Sequence, residues 1–122
     1  MVHIVFNPEE DNLVTPRYSK GRGPVLRSDS MEVTKISFKK GEGAVAHSHP
    51  EEQFVYVLSG RSRVTVDGET YEVSAGEGSY RPANAVHSQE ALEDTTSLSF
   101  KRLVDPAYDA TGRLDQPSGE SG

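Results

Sequence analysis

The stretch Phe54-Val-Tyr-Val-Leu-Ser-Gly60-Arg-Ser-Arg-Val-Thr-Val66-Asp67-Gly68-Glu-Thr-Tyr-Glu-Val73 reads as three consecutive strands. Phe54 to Leu58 is an unbroken apolar run stopped by Ser59-Gly60, the pattern expected of a strand covered on both faces. Arg63-Val-Thr-Val66 and Thr70-Tyr-Glu-Val73 alternate with period two. Asp67-Gly68 between them suits the positive φ angles of a tight hairpin turn. Upstream, Met31-Glu-Val-Thr-Lys-Ile-Ser-Phe38 is rich in β-branched residues and runs into the turn cluster Lys39-Lys-Gly-Glu-Gly43. Downstream, Ala75-Gly-Glu-Gly78 is a further turn, and Ser97-Leu-Ser-Phe-Lys-Arg-Leu103 alternates again. No segment between 25 and 104 has helical periodicity. Short strands at this regular spacing predict an all-β sandwich or barrel.

Three zones flank and include that core. Residues 1–24 carry Pro8, Pro16 and Pro24 and end in Lys20-Gly-Arg-Gly-Pro24, so they read as an extended arm. Residues 25–104 form the barrel. Residues 105–122 are rich in Asp, Gly, Pro and Ser and read as a partly disordered tail. No internal repeat or heptad pattern is present. A chain of 122 residues suffices for one domain with its own core. The absence of cysteine removes disulfides, zinc–thiolate sites and a cysteine nucleophile from consideration. With 19 acidic against 13 basic residues the formal charge is −6, a field that does not attract phosphate backbones, so no nucleic-acid partner is expected. No run approaches the roughly 20 apolar residues of a membrane span, and Met1-Val-His-Ile-Val-Phe6 lacks the basic lead of a signal peptide. The expected location is cytoplasmic.

Four histidines are present. His47 and His49, two apart on a strand, face the same way, and Gln53 follows across the kink expected at Pro50. His87 lies about forty residues on, within a candidate strand from Ala85 to Glu90. His3 stands alone and reads as a surface residue. Gly41, His47, His49, Gln53 and Gly60 form one block of fixed spacing; Gly76, Pro82, Asn84 and His87 form a second.

These blocks resemble the cupin motifs G-x5-H-x-H-x3,4-E-x6-G and G-x5-P-x-G-x2-H-x3-N over roughly residues 31–103. The resemblance implies a double-stranded β-helix, a jelly-roll-like barrel, holding a metal ion inside. Three positions depart from the pattern: Gln53 replaces Glu, Asn84 replaces Gly at a turn where asparagine tolerates positive φ, and Ala91 replaces Asn. The stretch His47-Ser-His-Pro-Glu-Glu-Gln53, with Tyr56-Val, Asp67-Gly-Glu69 and Ala91-Leu-Glu-Asp94, is most similar to the small pectin-degradation cupins, which open unsaturated uronates with a three-His, one-Gln metal site. Some polyketide-cyclase cupins also use glutamine. By this resemblance His47, His49, Gln53 and His87 are the metal ligands, for zinc, nickel, iron, manganese or copper. The acidic and aromatic residues of the uronate-opening pattern fall at Ser99 and Lys101, so its obvious general base is missing.

A neutral amide ligand leaves the ion's charge uncompensated, which favours anionic substrates and Lewis-acid over dioxygen chemistry. Lys101 is a catalytic candidate if it points inward, binding a carboxylate or enolate oxygen; in the opposite phase Leu98 and Phe100 fill the core and Lys101 is solvated. Arg81 is a candidate clamp for an anionic substrate, or else a solvated rim charge. Val45 is expected on the face of His47, Val55 and Val57 on that of Gln53, and Gln89 on that of His87. Tyr56 should pack in the core or an interface.

Three functional readings follow: a Lewis-acid enzyme that isomerises, opens, cyclises or eliminates a small oxygenated carbonyl substrate; a flavonol- or diketone-cleaving dioxygenase; and a non-catalytic ligand-binding barrel. The apolar run at 54–58 and the arm point to a homodimer, with residues 1–28 exchanged between subunits.

Overall fold

A computed structural model describes residues 3–6 and 12–104. Nine strands follow one another: β1 (Val25–Arg27), β2 (Met31–Phe38), β3 (Gly43–His47), β4 (Gln53–Ser59), β5 (Arg61–Val66), β6 (Glu69–Ser74), β7 (Gly78–Arg81), β8 (His87–Ala91) and β9 (Thr95–Arg102). They form two antiparallel sheets, ordered β1-β2-β9-β4-β7 and β3-β8-β5-β6. The described residues contain no helix, and the architecture is the all-β double-stranded β-helix expected. No helix among them is long and apolar enough to cross a membrane.

Local sequence explains the elements. The β5–β6 hairpin turns at Asp67 (φ 49°) and Gly68 (φ 86°), the two positive angles of a type I′ turn. Between the sheets, Val57, Val64, Val66, Val73 and Ala85 form the apolar core. Burial of each valine there contributes about 1.5–3 kcal/mol. Asn84 takes φ 67°, keeping the turn that the departure from glycine put in question. β7 was not legible, because Gly76 and Gly78 made its approach read as a turn only.

Gly60 (φ 90°) joins β4 to β5 so closely that a Cβ there would collide with the Asp94 carbonyl oxygen and meet the Thr95 hydroxyl. Gly60→Ala therefore combines an unfavourable φ with a steric overlap, and should lower stability by about 2 kcal/mol or more in urea unfolding.

The Phe54–Leu58 run differs from expectation. Val55 and Val57 are buried, but Phe54 (57 % exposed), Tyr56 and Leu58 stand on the open outer face of the five-stranded sheet. Strict alternation, not double coverage, governs β4 within this chain. The register builds an apolar row across all five strands: Leu26 opposite Val33, Val33 opposite Phe100, Phe100 opposite Phe54, and Phe54 opposite Tyr80.

Residues 12–24 lie against the barrel of their own chain. Val45 N–H donates to the Tyr18 carbonyl and Lys20 N–H to that of Gly43, capping the free edge of β3. Arg22 and Ser37 then bond reciprocally, which carries the arm to β2. Within the single chain described, this segment and β1 pair with the chain's own barrel. The expected tail, 105–122, lies outside the described residues.

Candidate metal centre

The site sits between the sheets, with His47 and His87 paired across β3 and β8 and Gln53 contributed by β4 of the other sheet. The β3–β8 register slips between Ala44 and His47: three steps on β3 match two on β8. This bulge turns Val45 outward (67 % exposed) and leaves Ala44 and His47 lining the cleft. The expectation that Val45 shares the His47 face fails because the extra residue breaks the two-residue period. His49 lies beyond the strand end, yet reaches the same point; Asn84 N–H donates to its carbonyl, tying the two motif loops together.

The three imidazoles converge. Ring centroids of His47 and His87 are 4.2 Å apart, those of His49 and His87 4.8 Å, and one ligand atom from each of the three lies within 4.8 Å of the others. Every Nδ1 meets a backbone carbonyl: His47 that of Val45 at 2.7 Å, His49 that of Glu51 at 2.8 Å, and His87 that of Ala85 at 3.0 Å. A proton on Nδ1 satisfies each bond and leaves the Nε2 lone pair free. Nε2 of His49 and of His87 is buried without a hydrogen-bond partner among the described residues. Burial, aided by the nearby positive charge of Lys101, lowers the imidazole pKa values to about 4 for His47, 2 for His49 and 3 for His87. All three are neutral near pH 7, the form that accepts a metal.

Gln53 lines the same cleft. Its Nε2 donates to Ser99 Oγ at 2.7 Å, while its Oε1 is buried with no partner among the described residues. Three converging imidazoles, two of them with an unpartnered buried Nε2 among the described residues, could hold a metal ion. The donor set of three imidazoles and one amide oxygen suits a divalent transition metal.

The walls carry charge. Lys101 is buried, and Ser97, Ser99 and Lys101 all face inward, which settles the phase of β9; Leu98 and Phe100 point away from the core. Arg81 is also inside (4 % exposed), not solvated at the rim. Both flank Gln53 in register, Arg81 on β7 and Lys101 on β9. Gln89 faces the cleft as expected, its Oε1 accepting from Arg81 Nη2 at 2.7 Å. His3 is exposed and takes no part.

Three further residues escaped the sequence reading. Glu32 is buried on the cleft wall, opposite Lys101 in register and 3.5 Å from Arg27 Nε. Its parity with Thr34 and Phe38 on β2 was the available signal. Glu51 is buried with a carboxylate oxygen 3.7 Å from His49 Nδ1. Tyr18, from the arm, stacks on His47 with centroids 3.7 Å apart; nothing local in the arm sequence announces that contact. The cleft encloses a cavity of about 40 Å³, room for an ion and a small ligand only.

The chain is a two-sheet β-helix whose three inward imidazoles could hold a metal ion. The chain belongs to the cupin family: the cupin domain profile matches residues 34–101. Among curated proteins it is similar to mannose-1-phosphate guanylyltransferase RfbM of Salmonella typhimurium, 40 % identical over 93 residues, covering 70 % of this chain and 19 % of that protein. The chain thus spans about a fifth of that relative. Among solved structures it is similar to an RmlC-like cupin from Shewanella frigidimarina (21 % identity, 85 % and 93 % of the two chains, TM-score 0.72). It is also similar to KdgF from Halomonas sp. (23 % identity, 66 % and 76 %, TM-score 0.62). At these identities both structures attest the fold.

Proposed function

We propose that this cupin is a metal-dependent enzyme that uses Lewis-acid chemistry to isomerise, open, cyclise or eliminate a small carbonyl-bearing substrate. The observation that carries the reading is the convergence of His47, His49 and His87, two of them with unpartnered buried Nε2 atoms among the described residues, beside a cleft lined by Gln53 and buried ionisable side chains. His47, His49, Gln53 and His87 would hold one divalent ion, which supplies polarisation of a carbonyl oxygen. Glu32 would serve as the proton acceptor that Ser99 cannot be, and Lys101, opposite it in register, would hydrogen-bond a developing enolate oxygen. Val55 on the wall and Tyr18 at the mouth limit the access of water. The similarity of residues 47–53 to pectin-degradation cupins makes unsaturated uronates the first substrates to screen, with β-dicarbonyls and polyketide-like rings beside them.

The test is elemental analysis of untagged protein followed by turnover assays with and without oxygen uptake. About one ion per chain and product formation without oxygen consumption are expected. Stoichiometric oxygen uptake would favour the dioxygenase reading. No metal after reconstitution would leave a ligand-binding barrel.

The five-strand apolar row supports a homodimer formed by two copies of the outer sheet face, since a two-fold axis lets such a row pair with itself. Phe54→Glu, within this row, should convert the dimer to monomer in analytical ultracentrifugation without loss of metal.

A further inference from the structure

Arg81 is a buried cation whose hydrogen-bond partners among the described residues are both neutral. Its Nε donates to Ser79 Oγ at 3.0 Å and its Nη2 to Gln89 Oε1 at 2.7 Å. A guanidinium has five N–H donors, so three remain for a ligand. The charged groups of the cleft are unevenly matched: Lys101 stands opposite Glu32 across β2 and β9, whereas among the described residues no carboxylate pairs with Arg81. Burial lowers the guanidinium to about 10, and the groups that oppose this are the phenols of Tyr71 and Tyr18, not an acid. It remains protonated at neutral pH. A permanently charged, desolvated fork held in place by Ser79 and Gln89 is a preformed anion receptor. Its strand neighbour Gln53 carries an orphaned acceptor oxygen, so the receptor adjoins the imidazole cluster directly.

We infer that Arg81, oriented by Gln89 and Ser79, is the carboxylate subsite of the cleft, and that the substrate is a small acid whose carboxylate docks there while its neighbouring carbonyl or hydroxyl oxygen faces His47, His49 and His87. This deepens the function proposed above and rests on it for the role of the imidazoles. The adjacency of Arg81 and Gln53 restricts the ligand to acids with the second oxygen only a few bonds from the carboxylate, 2-oxo and 3-oxo acids being the simplest. A bound anion also relieves the repulsion between Arg81 and a cation held by the imidazoles.

The test uses the full chain, loaded with zinc and separately metal-free, titrated calorimetrically with pyruvate, its uncharged methyl ester and inorganic phosphate. Metal content is measured for every variant. Pyruvate should bind at least about tenfold more tightly than the ester, and Arg81→Met should remove that preference while retaining the metal. Should Arg81→Met fail to fold, Arg81→Lys, which replaces the fork by a point charge, should weaken pyruvate about fivefold or more. Equal binding of acid and ester, unchanged binding in the Arg81 variants, or tighter binding of phosphate than of pyruvate overturns the inference. An acid-over-ester preference in metal-free protein that disappears in Arg81→Met sustains the subsite even if the chain takes up no metal, which separates its failure from that of the proposed function.

Discussion

His87→Ala is expected to lose at least about a hundredfold in affinity for a divalent transition metal and to purify essentially metal-free. His87 is a single change with two consequences: it removes one Nε2 donor and the cross-strand partner of His47. Its ring also stands 4.2 Å from that of His47 and 4.8 Å from that of His49, so deleting it lets the remaining rings relax apart. Gln53→Ala removes only a neutral oxygen and should cost about tenfold. Gln53→Glu restores the carboxylate of the common cupin motif and should tighten binding, because an anion compensates the cation directly. The ordering Gln53→Glu above wild type, then Gln53→Ala, then His87→Ala is measured by competition with a chromogenic chelator. Equal metal content in wild type and His87→Ala would dissolve the four-residue assignment. Ligand loss leaves the apolar core between the sheets untouched, so circular dichroism of His87→Ala should match the wild type and exclude unfolding as the cause.

The strands most legible in the sequence were those whose turn chemistry and alternation agree. Asp67-Gly68 demands positive φ at two adjacent positions, and nothing else in the chain competes for that hairpin. The histidines were legible as a set because their spacing to Gly41, Gly60, Gly76 and Pro82 is that of a known family. What was not legible depends on contacts between distant segments. Parity alone leaves β9 free to face either way; Lys101 is drawn inward because Glu32, some seventy residues earlier, is buried opposite it. Arg81 read as a rim charge because β7 is only four residues long, begins at Gly78 and follows Gly76. The outward turn of Val45 needs a bulge, and a bulge adds a residue without leaving a compositional trace at Ala44-Val-Ala-His47. Tyr18 came into the site through an arm that sequence treats as a flank.

Acidification should destabilise the metal-free protein by several kcal/mol between pH 7.5 and pH 5. Burial is the largest cause of the lowered pKa of all three imidazoles, about 4, 2 and 3 for His47, His49 and His87. The unfolded chain takes up these protons near the ordinary value of about 6.5, whereas the folded chain resists them until far lower pH. Below 6.5 the unfolded state therefore binds more protons, and stability must fall as pH falls. The loss begins as pH drops through 6.5, deepens toward the folded values, and is absent above 7.5. At pH 5 each histidine contributes about 2 kcal/mol to it, a large part of the 5–15 kcal/mol typical of a domain. Urea unfolding at the two pH values measures the change. His87→Asn, which removes one of the three titrating rings, should show a loss smaller by about a third; an undiminished loss would show that these rings are not the source of the acid sensitivity. Metal opposes the protons, because it binds the same neutral Nε2 atoms. Saturating zinc should shift the onset of acid unfolding to lower pH in the wild type and leave His87→Asn nearly where it was.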